Sequence, residues 1–490
     1  MAHTMIFIHP CEKAKIAMHS RREFIGAAAA IAATPTLPSV GFAGPIPDIK
    51  GLNPIYDTDH LSAEFNKAYA AQRKHLPKLR LMCGNETAAQ AAVKWARNEG
   101  QKFASRSGGH CFMGFSQNKN LVLDVREMRE IKVDPAARRL RVGSGARLDI
   151  IYNAINPLGL SLAGGTFGGV GIAGHTLGGG FGARCRADGL LIDNLLAVDL
   201  ITADGSKVTA SATQNSDLFR ACRGGGGGQF GLVTSFTFAL QKRAPTHRIA
   251  IIEPANIQRT AEILFLWHHW TLNSPRHLTT HLQIGRRGKN GFLISLKGLA
   301  EGNRNDLMEE LRLLLRRDAP VHDNLVTSNS TGDLIKQPHE GKSTTQANLL
   351  THSHFLKGAL SEQAVADIIT AIQRHPNDAM TVNFEPIGGA VSDIDAKATA
   401  FPHRNVDFVV HVQADVHQPQ DMGMKQAALD EMRSILTPIA TEGVYANYPD
   451  LTLENWGHAY WGENLSRLKR IKQKWDPDNY FDHAHSIAKA

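Results

Sequence analysis

The chain has 490 residues, 42% hydrophobic and 20% charged, which allows two or three domains with a large core and excludes the collagenous and disordered classes. Its net charge of +8 is not gathered into a dense Lys/Arg block, so it favours a solvated basic surface over nucleic-acid binding. The five cysteines form no C-x-x-C pair, and histidine pairs such as His352 with His354 or His483 with His485 lack further ligands at metal spacing, so we expect no metal site.

Residues 1–43 have the features of an export signal. Arg21 and Arg22 precede a short apolar run that ends near Ala33, and small residues follow around Ala43. The run is too short to span a bilayer, and adjacent arginines at its start are typical of a twin-arginine signal. We therefore expect export by the twin-arginine machinery to the periplasm or beyond, without stable membrane insertion. An N-terminal helix with a chance arginine pair is the alternative. Since that machinery carries folded proteins, the leader also predicts a cofactor bound before export.

Residues 44–245 predict a first α+β domain. A helical pattern lies between Thr87, a candidate N-cap, and Gly100, a stop signal. Strand-like runs follow at 121–125, around the turn at Asp134, and on both sides of the Asp204-Gly205 turn. The short strands and helices show no regular βαβ order, which favours α+β over a doubly wound sheet.

The composition and the hydrophobic pattern of the sequence change after residue 245. Glycine becomes rarer, and longer helical patterns alternate with strand-like runs. This pattern predicts a second α+β domain over residues 246–444, an antiparallel sheet covered by helices. The tail, residues 445–490, is rich in aromatic residues and contains a helical pattern that stops before Pro477.

Glycine is densest at 163–182 and 220–234. Residues 169–174 spell G-x-G-x-x-G, and Asp193 lies at the distance of a ribose-binding acid, as in a nicotinamide-binding domain. The third glycine should open a helix there, yet three consecutive glycines follow at 178–180 and would destabilise it. The glycine runs instead offer many backbone amides that can approach a pyrophosphate and a flat ring.

Segments along nearly the whole chain after the leader resemble the FAD-linked oxidases of the berberine bridge enzyme-like family. They are RSGGH at 106–110, GHTLGGGFG with RADGLLIDNLLAVDLITADG at 174–205, DLFRACRGGGGGQFGLVTSF at 217–236, ATAFPHR at 398–404, YANYPD at 445–450, and YWGENLSRLKRIKQKWDPDNYF at 460–481. The resemblance implies a two-lobed FAD-binding domain of the vanillyl-alcohol-oxidase or PCMH type at 44–245. It also implies a substrate-binding domain at 246–444 and a C-terminal module at 445–490 that returns to the flavin.

By this resemblance, the flavin is bonded covalently through His110. Many relatives carry a second link from a cysteine at a position that is Phe167 here, so the resemblance implies one bond, a more enclosed site and a smaller substrate. The remaining residues that it implies around the cofactor are Arg106, Ser107, Gly108, Gly109, Gly114, Ser116, Gly165, Thr166, Val170, Gly174, His175, Leu177, Gly179, Gly180, Gly182, Asn194, Gly231, Val233, Asn464 and Phe481.

The resemblance further implies that hydride passes from a substrate C–H bond to the flavin while a base removes the proton from OH or NH. Tyr448 resembles the family's base. A free phenol has a pKa near about 10, so we expect nearby positive charge or hydrogen bonds to favour its ionisation; a buried core tyrosine is the alternative. Asn383 and Glu385 are further candidate catalytic groups. Val170 occupies a position where a small side chain goes with reoxidation by O2 to H2O2.

The expected function is thus an FAD-dependent oxidase acting on a small-molecule alcohol, either a carbohydrate or a secondary metabolite. A dehydrogenase that passes its electrons to another acceptor and an oxidase of small cyclic amines are the alternatives. A non-catalytic protein on a degenerate flavin fold is a third, against which the intact RSGGH and glycine segments argue.

Overall fold

The computed structural model describes residues 44–57, 77–244, 246–288, 291–315, 326–328 and 348–490. The predicted export signal at 1–43 lies outside the described residues, as does the segment 58–76.

A four-stranded sheet opens the described chain. Its order is β1-β2-β4-β3, with β1 antiparallel to β2 and both remaining pairs parallel. The strands are β1 (Leu52–Tyr56), β2 (Leu79–Cys83), β3 (Ala104–Arg106) and β4 (Leu121–Asp124), and helix α1 (Glu86–Asn98) follows β2. Asn85 caps α1, because its side chain accepts a hydrogen bond from the backbone N–H of Ala88 at 2.9 Å. The predicted cap, Thr87, lies in the first turn instead.

A five-stranded antiparallel sheet forms the second lobe, in the order β5-β6-β10-β8-β9, and a short β7-β11 pair lies apart from it. The predicted hairpins at Asp134 and Asp204 are both confirmed. The strands are β5 (Ile131–Asp134), β6 (Arg139–Gly143), β7 (Leu160–Ser161), β8 (Leu195–Ile201), β9 (Lys207–Ser211), β10 (Leu232–Ala239) and β11 (Gln241–Lys242), with helices α2 (Leu148–Ile155), α3 (Ile172–Leu177), α4 (Cys185–Asp188) and α5 (Ser216–Cys222). Helix α3, which a nicotinamide-binding fingerprint would need long, ends after six residues.

A seven-stranded antiparallel sheet follows, in the order β15-β12-β14-β13-β17-β18-β16. Its strands are β12 (Thr246–Ala255), β13 (Leu278–Arg287), β14 (Gly291–Glu301), β15 (Val326–Ser328), β16 (Asn348–Leu356), β17 (Thr381–Pro386) and β18 (Phe408–Val416). Helices α6 (Ile257–Asn273), α7 (Arg304–Leu315), α8 (Glu362–Arg374) and α9 (Met422–Leu436) pack on one face of this sheet through an apolar core that includes Trp267, Phe384 and Phe408. Because the helices cover that face, the opposite face of the sheet remains available, and its polar side chains can line a binding site. These strands fall within 246–444, while the division into domains stays a prediction.

The chain ends in α10 (Trp456–Trp461) and α11 (Leu465–Trp475). The apolar side of α11, with Leu468 and Ile471, joins the core of the second lobe.

Arg404, in the ATAFPHR segment, makes a bidentate ion pair with Asp193 at 2.8 Å for both bonds. Both side chains are nearly fully buried, so this pair fixes the ATAFPHR segment against the second lobe.

Within the described residues, no helix is long and apolar enough to cross a membrane.

Candidate active site

A cavity of about 340 Å³ is lined by three glycine segments, the free face of the seven-stranded sheet and C-terminal residues. The first glycine segment is residues 107–116, the second is residues 165–182 and the third is residues 226–233. This volume lies in the range of sites that bind small molecules. The cavity therefore gathers residues from segments that lie far apart in the chain, between Ser105 and His485.

The first glycine segment follows β3. Ser107 donates its hydroxyl hydrogen to the backbone oxygen of Ser144 at 2.7 Å, which fixes the start of the loop. Gly108 then meets Gly171 backbone to backbone, and a Cβ on Gly108 would lie 2.4 Å from the nitrogen of Gly171. Arg106 is buried with its Nε 3.7 Å from Asp124 Oδ2. Burial, with the charge of Arg126, lowers the pKa of Arg106 to about 9.

His110 lines the cavity directly after this loop. Its ring centroid is 6.1 Å from that of Phe112 and 6.3 Å from that of Phe167. Burial lowers the pKa of His110 to about 4, so the imidazole is neutral at neutral pH. A neutral imidazole keeps a free electron pair on one nitrogen and can act as a nucleophile.

His175 stabilises the second glycine segment. Its Nε2 accepts a hydrogen bond from the backbone N–H of Gly165 at 2.8 Å, so a neutral ring carries its proton on Nδ1. Burial, with the proximity of His110, lowers the pKa of His175 to about 4. Asn447 donates to the backbone oxygen of His175 at 3.0 Å, which joins the C-terminal residues to this segment.

Two glycines leave open space in the cavity wall. A Cβ on Gly174 would meet no atom within 4 Å, and a Cβ on Gly227 would meet only the Cα of Gly174, at 3.7 Å. On both sides of Gly227, Gly226 and Gly228 have positive φ of 93° and 68°. Alternating conformations of this kind turn backbone N–H groups towards one side and are suited to binding an anion. The second and third glycine segments thus form a slot that side chains would fill.

C-terminal residues make hydrogen bonds to the backbone of the third glycine segment. Buried Lys472 donates to the backbone oxygens of Gln229, at 2.5 Å, and Phe481, at 2.8 Å, and pairs with Asp476 at 2.7 Å. His483 contacts the backbone oxygen of Gly227 at 3.2 Å, and its ring stacks on Phe115 with the centroids 4.5 Å apart.

Three adjacent strands supply a polar wall, each with two side chains at i and i+2, since such residues share a face of a strand. We call these residues the polar wall: His281 and Gln283 on β13, Asn383 and Glu385 on β17, and His411 and Gln413 on β18. Gln283 donates to the side-chain oxygen of Asn383 at 2.9 Å, and Asn383 donates to the backbone oxygen of His411 at 3.1 Å. His281 Nδ1 lies 3.5 Å from Glu385 Oε1.

Tyr448 lies against the polar wall. Its hydroxyl donates to Glu385 Oε2 at 3.1 Å, and its ring stacks on His411 with the centroids 4.0 Å apart. Burial lowers the pKa of His411 to about 4, so this ring is neutral. Among the described residues lining the cavity, Arg106 alone is an arginine or lysine, and it is paired with Asp124. Of the positive charge or hydrogen bonds expected to favour ionisation of Tyr448, the structure shows a hydrogen bond that the phenol donates to a carboxylate, and no arginine or lysine beside it among the described residues that line the cavity.

The cavity brings together most of the predicted site residues. Lining it are the three candidate catalytic residues Tyr448, Asn383 and Glu385, and Arg106, Ser107, Gly108, Gly109, His110, Ser116, Gly165, Thr166, Val170, Gly174, His175, Leu177, Gly182, Gly231 and Val233.

Six predicted cofactor residues are not among those that line the cavity: Gly114, Gly179, Gly180, Asn194, Asn464 and Phe481. The three glycines have positive φ of 71°, 129° and 77° and shape the backbone there. Asn194 and Asn464 donate to backbone oxygens, at 2.9 Å to Asp188 and 2.8 Å to Ala396. Phe481 packs edge-on against Phe103 at 5.4 Å. These contacts hold the side chains to neighbouring segments and do not place them in the cavity.

The comparisons with known proteins agree with this site. A family model described as "FAD binding domain" matches residues 77–211, and one described as "Berberine and berberine like" matches residues 444–488. The uncharacterized FAD-linked oxidoreductase YgaK of Bacillus subtilis is 31% identical over 446 residues, 88% of this chain and 95% of YgaK. The chain belongs to the berberine bridge enzyme-like family of FAD-linked oxidoreductases.

Two further proteins are similar to this chain over most of their length. The chitooligosaccharide oxidase of Gibberella zeae is 28% identical over 81% of this chain and 84% of the relative. The structure of wild-type BBE-like 1 from Physcomitrella patens has a TM-score of 0.81 and 26% identity, covering 89% of this chain and 97% of that one. The predicted fold class, α+β with a PCMH-type FAD-binding domain, is thereby confirmed.

The residues present fit FAD, the cofactor of this enzyme family. The slot beside Gly174 and Gly227 suits a pyrophosphate, because it offers backbone N–H groups and no side-chain bulk. His110 lines the same cavity, with its ring centroid 6.1 Å from that of Phe112 and 6.3 Å from that of Phe167, aromatic residues against which a flat ring can pack.

Proposed function

We propose that the chain is an exported FAD-dependent oxidase that oxidises a CH–OH group of a carbohydrate or secondary-metabolite alcohol and reduces O2 to H2O2. One observation carries the proposal: a hydroxyl–carboxylate pair, Tyr448 with Glu385, faces the same cavity as His110 and the glycine slot. Such a pair can take the proton of an alcohol while hydride leaves for a flavin. The similarity to a chitooligosaccharide oxidase and to the aclacinomycin oxidase of Streptomyces galilaeus supports an alcohol substrate.

The proton has a direct path in this arrangement. When bound, FAD supplies the acceptor for the hydride that leaves the substrate carbon. The substrate hydroxyl gives its proton to the Tyr448 oxygen as Tyr448 gives its own proton to Glu385 Oε2, 3.1 Å away. The substrate thereby loses one hydride and one proton and becomes a carbonyl compound. A carboxylate opposes a second negative charge on the neighbouring phenol, so transfer through a neutral Tyr448 is favoured over a stored phenolate.

We also propose that the flavin is bonded covalently through His110 alone. The neutral state of this imidazole supports a role as nucleophile. No second cysteine link is expected at the neighbouring loop, since that position is Phe167. In the proposed oxidase, O2 reaches the cavity past Val170, whose side chain is small and lines it.

A small cyclic amine is the second candidate substrate. Glu385 is the single carboxylate among the described residues that line the cavity, and a carboxylate can bind a protonated amine. A dehydrogenase that uses another electron acceptor is the alternative to the oxidase.

Export by the twin-arginine machinery remains part of the proposal and rests on Arg21 and Arg22. In a host with this machinery, the wild-type protein is expected outside the cytoplasm and a variant with Arg21→Lys and Arg22→Lys inside it. Equal distribution of the two in cell fractions would contradict the proposal.

The activity is tested with a panel of sugars, aromatic alcohols and cyclic amines added to the purified holoenzyme without air. We expect a sugar or aromatic alcohol to bleach the flavin absorbance, and air to restore it with release of H2O2. Bleaching by cyclic amines alone would contradict the alcohol substrate. Bleaching that a redox dye reverses, while air does not, would favour the dehydrogenase.

The covalent bond is tested with His110→Ala. After denaturation in acid, the wild-type chain is expected to keep its yellow colour and the mass of one bound FAD, while the variant releases its flavin. Flavin that stays attached to the His110→Ala chain would contradict the assignment.

The proton path is tested with Tyr448→Phe and Glu385→Gln, using the best substrate of the panel. We expect each variant to slow anaerobic flavin bleaching by about 10²- to 10⁴-fold, the contribution usual for a positioned acid or base. Tyr56→Phe, on the edge strand β1 outside the cavity, is the matched control and should bleach at the wild-type rate. If both Tyr448→Phe and Glu385→Gln keep the wild-type rate, the path is wrong.

A further inference from the structure

The polar wall contains two cross-strand pairs of side chains between β13 and β17. Gln283 lies opposite Asn383 in the antiparallel register of these strands. Two residues further along, the same register places His281 opposite Glu385, on the same face of the sheet. The amides of Gln283 and Asn383 bond within the sheet, whereas the carboxylate of Glu385 also contacts Tyr448. The His281–Glu385 pair is therefore the part of the wall that meets the proposed proton path.

The Glu385 carboxylate lies between two side chains, one at each oxygen. Oε2 accepts the hydroxyl hydrogen of Tyr448 at 3.1 Å, and Oε1 lies 3.5 Å from Nδ1 of His281. The second distance is that of an ion pair, and a movement of about 0.5 Å would bring it to hydrogen-bond length. Hydrogen bonds of catalytic groups commonly shorten in this way when the substrate binds. Of the two oxygens, Oε2 is thus the one that faces the phenol.

The ring of His281 is held in an orientation that presents Nδ1 to the carboxylate. It stacks on Phe181, with the centroids 6.0 Å apart and an angle of 12° between the planes. Phe181 is itself buried, and its backbone N–H donates to the hydroxyl of Tyr445 at 3.1 Å. Nε2 of His281 is buried and has no hydrogen-bond partner among the described residues, while Nδ1 faces an acceptor. We therefore expect an N–H on Nδ1, directed at Glu385.

We propose that His281 is a positioning residue for the proton path: its Nδ1–H holds Oε1 of Glu385, which keeps Oε2 directed at the hydroxyl of Tyr448. A glutamate side chain held at one oxygen loses rotational freedom before the reaction rather than during it. The proton moves from the substrate hydroxyl to Tyr448 and from Tyr448 to Oε2, while His281 keeps its own. The inference rests on the proposed function for the reaction and adds the group that orients its proton acceptor.

The kinetic test compares His281→Phe with His281→Asn, using the panel alcohol that bleaches the flavin fastest without air. Phenylalanine keeps a flat ring against Phe181 but has no N–H, whereas the asparagine amide places an N–H near the position of Nδ1. We expect His281→Phe to lower the bleaching rate at saturating substrate by about 10- to 100-fold, with a half-saturating concentration within about threefold of the wild type. His281→Asn should recover a rate within about fivefold of the wild type.

His277→Phe is the matched control and should bleach at the wild-type rate, since His277 is exposed just before β13 and lies outside the cavity. In a Glu385→Gln background, adding His281→Phe should change the rate by less than about twofold, because the acceptor that His281 orients is gone. Three results would overturn the inference: a wild-type rate for His281→Phe, a His281→Asn variant as slow as His281→Phe, or a large further loss in the double variant. The last would mean that His281 acts on the substrate directly.

A second measurement needs no turnover. In holoenzyme that contains ¹⁵N-labelled histidine, the imidazole signal of His281 is the one that is missing from the spectrum of His281→Asn. We expect this signal to show a proton on Nδ1 and to shift in Glu385→Gln. It should not shift in Glu442→Gln, because that carboxylate is exposed and contacts His458 instead. A proton on Nε2 alone, or a signal that is indifferent to Glu385→Gln, would overturn the inference.

The two measurements separate this inference from the proposed function. If no alcohol of the panel bleaches the flavin while the His281 signal responds to Glu385→Gln, the proposed reaction is wrong and the orienting contact is right. If an alcohol bleaches the flavin and His281→Phe does not slow it, this inference alone is wrong. Melting temperatures check that the variants fold.

Discussion

The contact between Gly108 and Gly171 is the constraint on which the site depends. These two glycines meet backbone to backbone, and a Cβ on either would lie 2.4 Å from the backbone nitrogen of the other. His110 follows the first glycine by two residues and His175 follows the second by four, so the contact brings both histidines to one cavity. Burial lowers the pKa of both rings, and for His175 the proximity of His110 adds to this, so both are neutral, which suits His110 for bonding to a cofactor and His175 for accepting the hydrogen bond of Gly165.

The C-terminal residues hold the third glycine segment of the same cavity in position. A buried ammonium is unfavourable unless it is paired and hydrogen-bonded, and Lys472 has both an ion pair and two backbone acceptors. One of these acceptors belongs to Gln229, in the third glycine segment, so the position of that segment depends on α11. The cavity is thus assembled from distant segments, and the family models that match the chain's flavin domain and its C-terminal residues describe parts of one site.

The parts of this structure that follow local rules could be predicted from the sequence. Hairpins at Asp134 and Asp204 follow from turn chemistry, and the three glycines after His175 correctly argued against a long helix. The polar wall carried a signal that was missed: in β13, His281 and Gln283 alternate with apolar residues, which places both on one face. Which strands lie beside β13 could not be predicted, because Gln283 pairs with Asn383 across 100 residues of chain. For the same reason the sequence suggested only positive charge or hydrogen bonds beside Tyr448, and the fold supplies a hydrogen bond to Glu385 from β17.

The central claim is that the glycine segments form a slot for FAD, and Gly174→Leu tests it most directly. A Cβ at Gly174 would meet no atom outside its own helix within 4 Å, and leucine favours a helix more than glycine does, so the variant should fold. Gly423→Leu is the matched control, since Gly423 also lies in a helix with open space around it but outside the cavity. The measurement is the ratio of FAD to protein after purification, with the melting temperature as the check on folding. We predict one FAD per chain for the wild type and Gly423→Leu, and a folded Gly174→Leu with little or none. A Gly174→Leu protein that keeps one FAD per chain would contradict the account.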